Sequence, residues 1–163
     1  MKSILSVLVE NRSGVLARTA GLFARRGFNI ESLAVGETDN PAVSRMTIVV
    51  DGDEREAEQV GKQMSKLVDV IKVKTLEAEA STRRELALVK VRASEPTRSP
   101  VFDIVSIMKA NVVDLSPTTL TVEICDRPER VNLLLDMLVP YGIAELARTG
   151  MVAMQKGSGE FAE

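Results

Sequence analysis

Two short stretches carry residue types able to hold a small molecule: ENRSGVLA at 10–17 and RGFNIESL at 26–33. Asn11 offers an amide donor and acceptor, and Asn29 offers a second pair. Gly14 lacks a side chain, so a ligand can approach its backbone closely. The apolar spacing of Val15, Leu16, Ala20 and Phe23 predicts a helix over 14–26, with Ser13 as its N-cap. The first turn of a helix leaves N–H groups unpaired, and these suit a carboxylate. A free α-amino acid needs such donors for its carboxylate, acceptors for its ammonium, and an apolar wall, here Val15 and Leu16. The plain alternative makes Asn11 a turn residue, Gly14 a helix-start glycine and Asn29 a solvated edge. From spacing alone that alternative stands slightly ahead.

Other chemistries find less support. The chain has no histidine, which removes the commonest general base and metal ligand. RNA binding through a sheet needs stacking aromatics, and the strand RMTIVVD (45–51) has none. An acylphosphatase-type hydrolase needs a glycine-rich anion loop, and Gly14 stands alone beside Asn11 and Arg12. Asp51, Asp53, Glu54 and Glu56 cluster where a helix begins, and acids are favoured there by the dipole. Cys125 is the sole cysteine and is expected to be a buried, inert thiol.

These residues must be positioned by surrounding elements. Ile4–Val9 reads as a central strand, and Phe28–Val35 as a strand with a slip at Glu31–Ser32. TDNPA (38–42) reads as a turn and 45–51 as a third strand. A helix carries Ala57, Val60, Met64 and Leu67 on one face, and Val70–Leu76 is a fourth strand. The order β-α-β-β-α-β is the ferredoxin-like pattern. Residues 78–84, AEASTRR, read as a linker. The order then recurs. Strands are expected at 86–92, 111–115, 120–125 and 143–148, and helical faces at Val101, Ile104, Val105, Met108 and at Val131, Leu134, Leu135, Leu138. The expected architecture is α+β, with two ferredoxin-like βαββαβ domains: 1–77, a linker at 78–84, and 85–163. The tail from Gly157 is expected to fray.

Composition sets the setting. Of 163 residues, 21 are Lys or Arg and 23 Asp or Glu, a net charge of -2. No basic stripe is evident, so a nucleic-acid partner is not expected. No apolar run approaches a membrane span, and MKSILSVLVENRSG reads as a strand rather than a signal peptide. A lone thiol fits a reducing, cytoplasmic setting.

The stretch ILSVLVENRSGVLARTAGLFARRGFNIESLAVG (4–36) resembles the ACT domain of the regulatory (small) subunit of acetohydroxyacid synthase, also called acetolactate synthase. The resemblance continues through SRMTIVVDGD (44–53), KQMSKLVDVIKV (62–73) and RELALVKV (84–91), then runs more loosely to the end. It implies a non-catalytic chain that activates a large catalytic subunit and confers feedback inhibition by valine in branched-chain amino-acid biosynthesis. Thiamine diphosphate, magnesium and FAD are implied on that partner, with no cofactor or metal in this chain. The resemblance also implies a homodimer or higher assembly paired through ACT domains, with the effector between two chains. Asn11, Gly14, Val15 and Leu16 would come from one protomer, and Asn29 and Ile30 from the other. Val15 departs from the smaller apolar residue also seen there. The alternative keeps the fold: an ACT amino-acid sensor acting on a different enzyme or regulator.

Overall fold

The computed structural model describes residues 2–162. Its elements run β1 (Lys2–Glu10), α1 (Val15–Arg26), β2 (Asn29–Glu37), β3 (Val43–Asp51), α2 (Glu54–Met64) and β4 (Val70–Leu76). They continue β5 (Ser81–Arg92), α3 (Glu95–Ile107), β6 (Asn111–Leu115), β7 (Thr119–Asp126), α4 (Pro128–Leu138), a 3-10 turn (Val139–Tyr141), β8 (Ile143–Arg148) and β9 (Val152–Gln155). The βαββαβ order thus occurs twice. The chain forms two compact units, one from 1–82 with 151–163, the other from 83–150.

In the first unit the antiparallel sheet has the order β2-β3-β1-β4. β1 lies at the centre because its run is apolar on both faces: every residue from Ser3 to Val9 is buried. Leu5, Val7 and Val9 point into the core, where Met46, Ile48, Val50, Phe23, Val60 and Met64 join them. β2 is an edge strand, and its register on β3 shifts between Ile30 and Ser32, as the sequence pattern predicts. α2 starts in a reciprocal cap. The Asp53 carboxylate accepts from the Glu56 N–H, and the Glu56 carboxylate accepts from the Asp53 N–H, each at 2.8 Å. The acids at this helix start therefore have a structural use.

The second unit repeats the strand order as β6-β7-β5-β8. Ala87, Val89, Val91, Leu120, Val122 and Ile124 pack against Val101, Val131, Leu134 and Leu138 of the helices. Burial on one sheet face and one stripe of each helix is the source of its cohesion.

Several expectations need correction. Most of the expected linker is strand, since β5 begins at Ser81. The last 13 residues, Met151 to Glu163, fall with the first unit, not the second. β9, absent from the sequence reading, pairs with β5. Residues 157–162 lie outside any helix or strand, and the Phe161 ring lies 5.3 Å from the Arg45 guanidinium. Cys125 is exposed, because Leu120, Val122 and Ile124 take the inward positions of β7. Ser13 does not cap α1; the N-cap residue is Gly14, and no side chain bonds the helix start.

Candidate functional site

The turn from β1 to α1 begins at the end of a fully paired strand. The Asn11 N–H donates to the Ala42 carbonyl at 2.7 Å, and the Glu10 N–H donates to the Asp69 carbonyl at 2.9 Å. The chain must then reverse into a helix, and Gly14 makes the reversal in the left-handed region, at φ 85°. The left-handed φ is what favours glycine there: a Cβ on Gly14 would lie 2.6 Å from Nη1 of Arg18, a contact that the end of that flexible side chain can relieve by shifting.

Asn11 donates through Nδ2 to Oε1 of Glu37 at 3.0 Å and to the Pro41 carbonyl at 2.8 Å. Its donor is committed to the β2–β3 turn, which leaves Oδ1 as an acceptor. Val15 is buried at 4% exposure, whereas Leu16 is 49% exposed. The Val15 side chain is packed in the core, so of the two side chains expected to form an apolar wall only Leu16 is exposed.

A carboxylate sits beneath this turn that sequence reasoning did not single out. The Asp69 side chain is 3% exposed and holds two guanidinium groups. Nε of Arg12 donates to Oδ1 at 3.0 Å, and Nε of Arg18 donates to Oδ2 at 2.5 Å. The bond from Arg18 holds the Asp69 carboxyl below the usual range, with Arg12 adding to it against the opposing effect of desolvation. Arg12 also pairs with Glu10. Two cations and two carboxylates cancel at the helix mouth. Attraction for an anion there would come from oriented backbone N–H groups, not net charge. The signal for Asp69 in the sequence is slight: an acid in an otherwise apolar Leu67–Ile71 run. A shallow cleft of about 390 Å³ adjoins the turn, lined by Glu10, Asn11, Arg12, Asn40, Ala42, Val43 and Ile71.

Within one chain, Asn11, Gly14, Val15 and Leu16 come together; Asn29 and Ile30 do not join them. Asn29 pairs with Asp51, at the end of β3 opposite to Val43, the partner of Glu10. Eight steps of strand separate Asn29 from Glu37, roughly 26 Å at about 3.3 Å per residue. Among the described residues no group of three His, Cys, Asp or Glu is placed to hold a metal ion. No helix among them is long and apolar enough to cross a membrane.

Comparison with known proteins matches both units. Residues 5–72 match the AHAS small subunit-like ACT domain, and residues 84–157 match the family described as small subunit of acetolactate synthase. A probable acetolactate synthase small subunit of Methanothermobacter thermautotrophicus is 51% identical over 156 residues, 95% of this chain and 93% of that one. The acetolactate synthase small subunit of Mycolicibacterium smegmatis is 50% identical over 153 residues, 94% of this chain and 90% of that one. The crystal structure of the small subunit from Thermotoga maritima aligns with a TM-score of 0.90 at 39% identity, covering 98% of this chain and 99% of that one. With both units matched in order and relatives aligned over nearly their whole length, this chain belongs to the family of acetolactate synthase small subunits.

Proposed function

We propose that this chain is a non-catalytic regulatory subunit that activates the large subunit of acetolactate synthase and makes it sensitive to valine. On this reading the large subunit holds thiamine diphosphate, magnesium and FAD and performs the chemistry. The observation that carries the effector site is the open mouth of α1: a left-handed Gly14, no capping side chain, and the acceptor Oδ1 of Asn11 alongside. The carboxylate of valine would sit on the N–H groups of Gly14 to Leu16, its ammonium on Asn11 Oδ1, and its side chain against Leu16.

The site is completed by a second copy. β2 is an edge strand with free backbone groups. A two-fold axis across that edge pairs β2 antiparallel with its copy. That pairing carries the other protomer's Asn29 end toward this protomer's Glu37, and Glu37 is already bonded to Asn11. Valine then binds only the paired state and stabilises one dimer geometry. If that geometry engages the large subunit less favourably, the result is inhibition, with a coupling of about 1–3 kcal/mol. The same pairing makes the isolated chain at least dimeric at micromolar concentration.

The test is reconstitution of the large subunit with this chain, with and without valine. The expected outcome is a rise in acetolactate synthesis on adding the chain and a fall on adding valine. An unchanged rate in both arms overturns the reading.

A further inference from the structure

The face of the N-terminal sheet turned away from its helices is built in three rows. Register places Ile4 beside Val49 and Leu76, Ser6 beside Thr47 and Lys74, and Leu8 beside Arg45 and Lys72. The first row is apolar and is closed by Met151 and Ala153 in a small cluster. The other two rows carry three cations. Arg45 donates through Nη2 to the Ala153 carbonyl at 3.0 Å, and Lys74 bonds to Gln155. Beyond β9 the chain turns at Gly157, φ 84°, and lays Phe161 between Arg45 and Lys72. The ring centroid is 5.3 Å from the Arg45 guanidinium and 5.5 Å from Nζ of Lys72, which also donates to the Ala162 carbonyl at 2.9 Å.

We propose that this cationic part of the sheet face is a binding surface for an acidic segment bearing an aromatic residue, and that the chain's own segment 157–162 is its displaceable resident. The chemistry of the seat matches the tail. Cations close to a ring centroid recognise an aromatic group, and GSGEFAE carries two acids and no base.

The seat is also loosely made. β9 is tied down by a ladder and by the Lys156 N–H, which donates to the Ala80 carbonyl at 2.8 Å. Residues 158–162 have no such ladder and are anchored through the Phe161 ring and the Ala162 carbonyl. In the two cationic rows, Oγ of Ser6 and Nε of Arg45 are buried without a partner. Burial of unpaired polar atoms opposes closure. The result is a cover without a backbone ladder, anchored through a ring and a carbonyl over a surface that is not fully satisfied, so a segment of the same chemistry can exchange with it.

The experiment uses a ¹⁵N-labelled chain ending at Lys156, which keeps β9, titrated with an end-capped GSGEFAE peptide. Saturable shifts confined to β3 and β4 near Arg45 and Lys72 are expected. Affinity should fall at least about tenfold for a Phe161→Ala peptide, and likewise for a Lys72→Glu protein. No binding, or equal binding of the Phe161→Ala peptide, overturns the proposal. If the shortened chain misfolds, Phe161→Ala in the full chain provides the second measurement. Heteronuclear ¹⁵N NOEs at 157–162 should then fall while those of β1–β4 are unchanged. Unchanged NOEs at 157–162 would overturn the proposal equally. Neither measurement involves valine or the large subunit, so the outcome is separate from that of the effector site.

Discussion

The two units superpose in logic but not at the mouth of their first helices. Backbone hydrogen bonds set the correspondence: Asn11 N–H to Ala42 in one unit matches Ala93 N–H to Thr118 in the other, and Glu10 N–H to Asp69 matches Arg92 N–H to Gly142. Where the first unit has Asn11, the second has a fully buried Ala93. The N-cap Gly14 is matched by the N-cap Ser94, which likewise makes no side-chain cap bond, and Pro96 in the first turn of α3 removes an N–H there. Where the first has Asp69, the second has Gly142. The second unit also ties its β6–β7 turn to α3 through Arg98, which donates to the carbonyls of Ser116 and Pro117 at 3.2 and 2.8 Å. One βαββαβ frame therefore carries two different helix mouths. Neither start has a side-chain cap; the second lacks one backbone donor, at Pro96, and lacks the asparagine and the buried carboxylate of the first.

This contrast is most exposed to Gly14→Asp. The substitution puts a carboxylate on the donors assigned to valine, at a strained φ and against Arg18. Valine inhibition of the reconstituted enzyme should be abolished while activation persists. The counterpart Ser94→Asp at the N-cap of α3 should leave the valine titration unchanged. A Gly14→Asp enzyme still inhibited by valine would show that the open mouth is not the site.

Asn29→Ala should weaken inhibition by about tenfold, or about 1.4 kcal/mol of effector binding. Mixing sharpens the result. A dimer of one Gly14→Asp chain and one Asn29→Ala chain has one doubly damaged site and one intact site. Partial recovery of valine binding in calorimetry is expected from the mixture, and its failure would show that the site is not shared between two chains.

Asp69→Asn tests the clamp that the second unit lacks. The Asp69 carboxyl is held low in the folded state. Its stabilisation is therefore present above the unfolded value of about 3.9 and is lost as pH falls through the lower folded value. The urea midpoint of the variant should be lower than that of the parent at pH 7, and the difference should shrink as pH falls below about 4. A gap that stays constant with pH would remove the carboxylate from the account.

The smallest effect concerns caps. Asp53→Ala breaks a reciprocal capping box in the first unit and should cost about 1 kcal/mol of stability. Ser94→Ala at the start of α3, where no side-chain cap bond is made, should be near neutral in the same denaturation assay. Equal losses would mean that the caps of the two units are not distinguished as described.

Legibility varied with how local the cause was. Strands such as Val70–Leu76, Asn111–Leu115 and Ile143–Arg148 agree with the sequence pattern at both ends. Their alternation and flanking turns act over a few residues. α1 began one residue later than expected and without its serine cap, because a left-handed glycine made the turn instead. Cys125 was misread because an apolar-looking strand still has an outward face. β9 escaped notice because a four-residue strand has too little pattern to stand out from a tail.

By itself, the sequence determined the βαββαβ order in both halves, the glycine-fronted helix and the family resemblance, since each depends on residue type and near-neighbour spacing. Tertiary structure alone decided that Asp69 clamps Arg12 and Arg18 across more than 50 residues, that Asn29 lies at the far end of the sheet from Asn11, and that the tail packs on the first unit. Those three outcomes depend on strand register and chain return, and periodicity carries no record of which distant segments will share a surface.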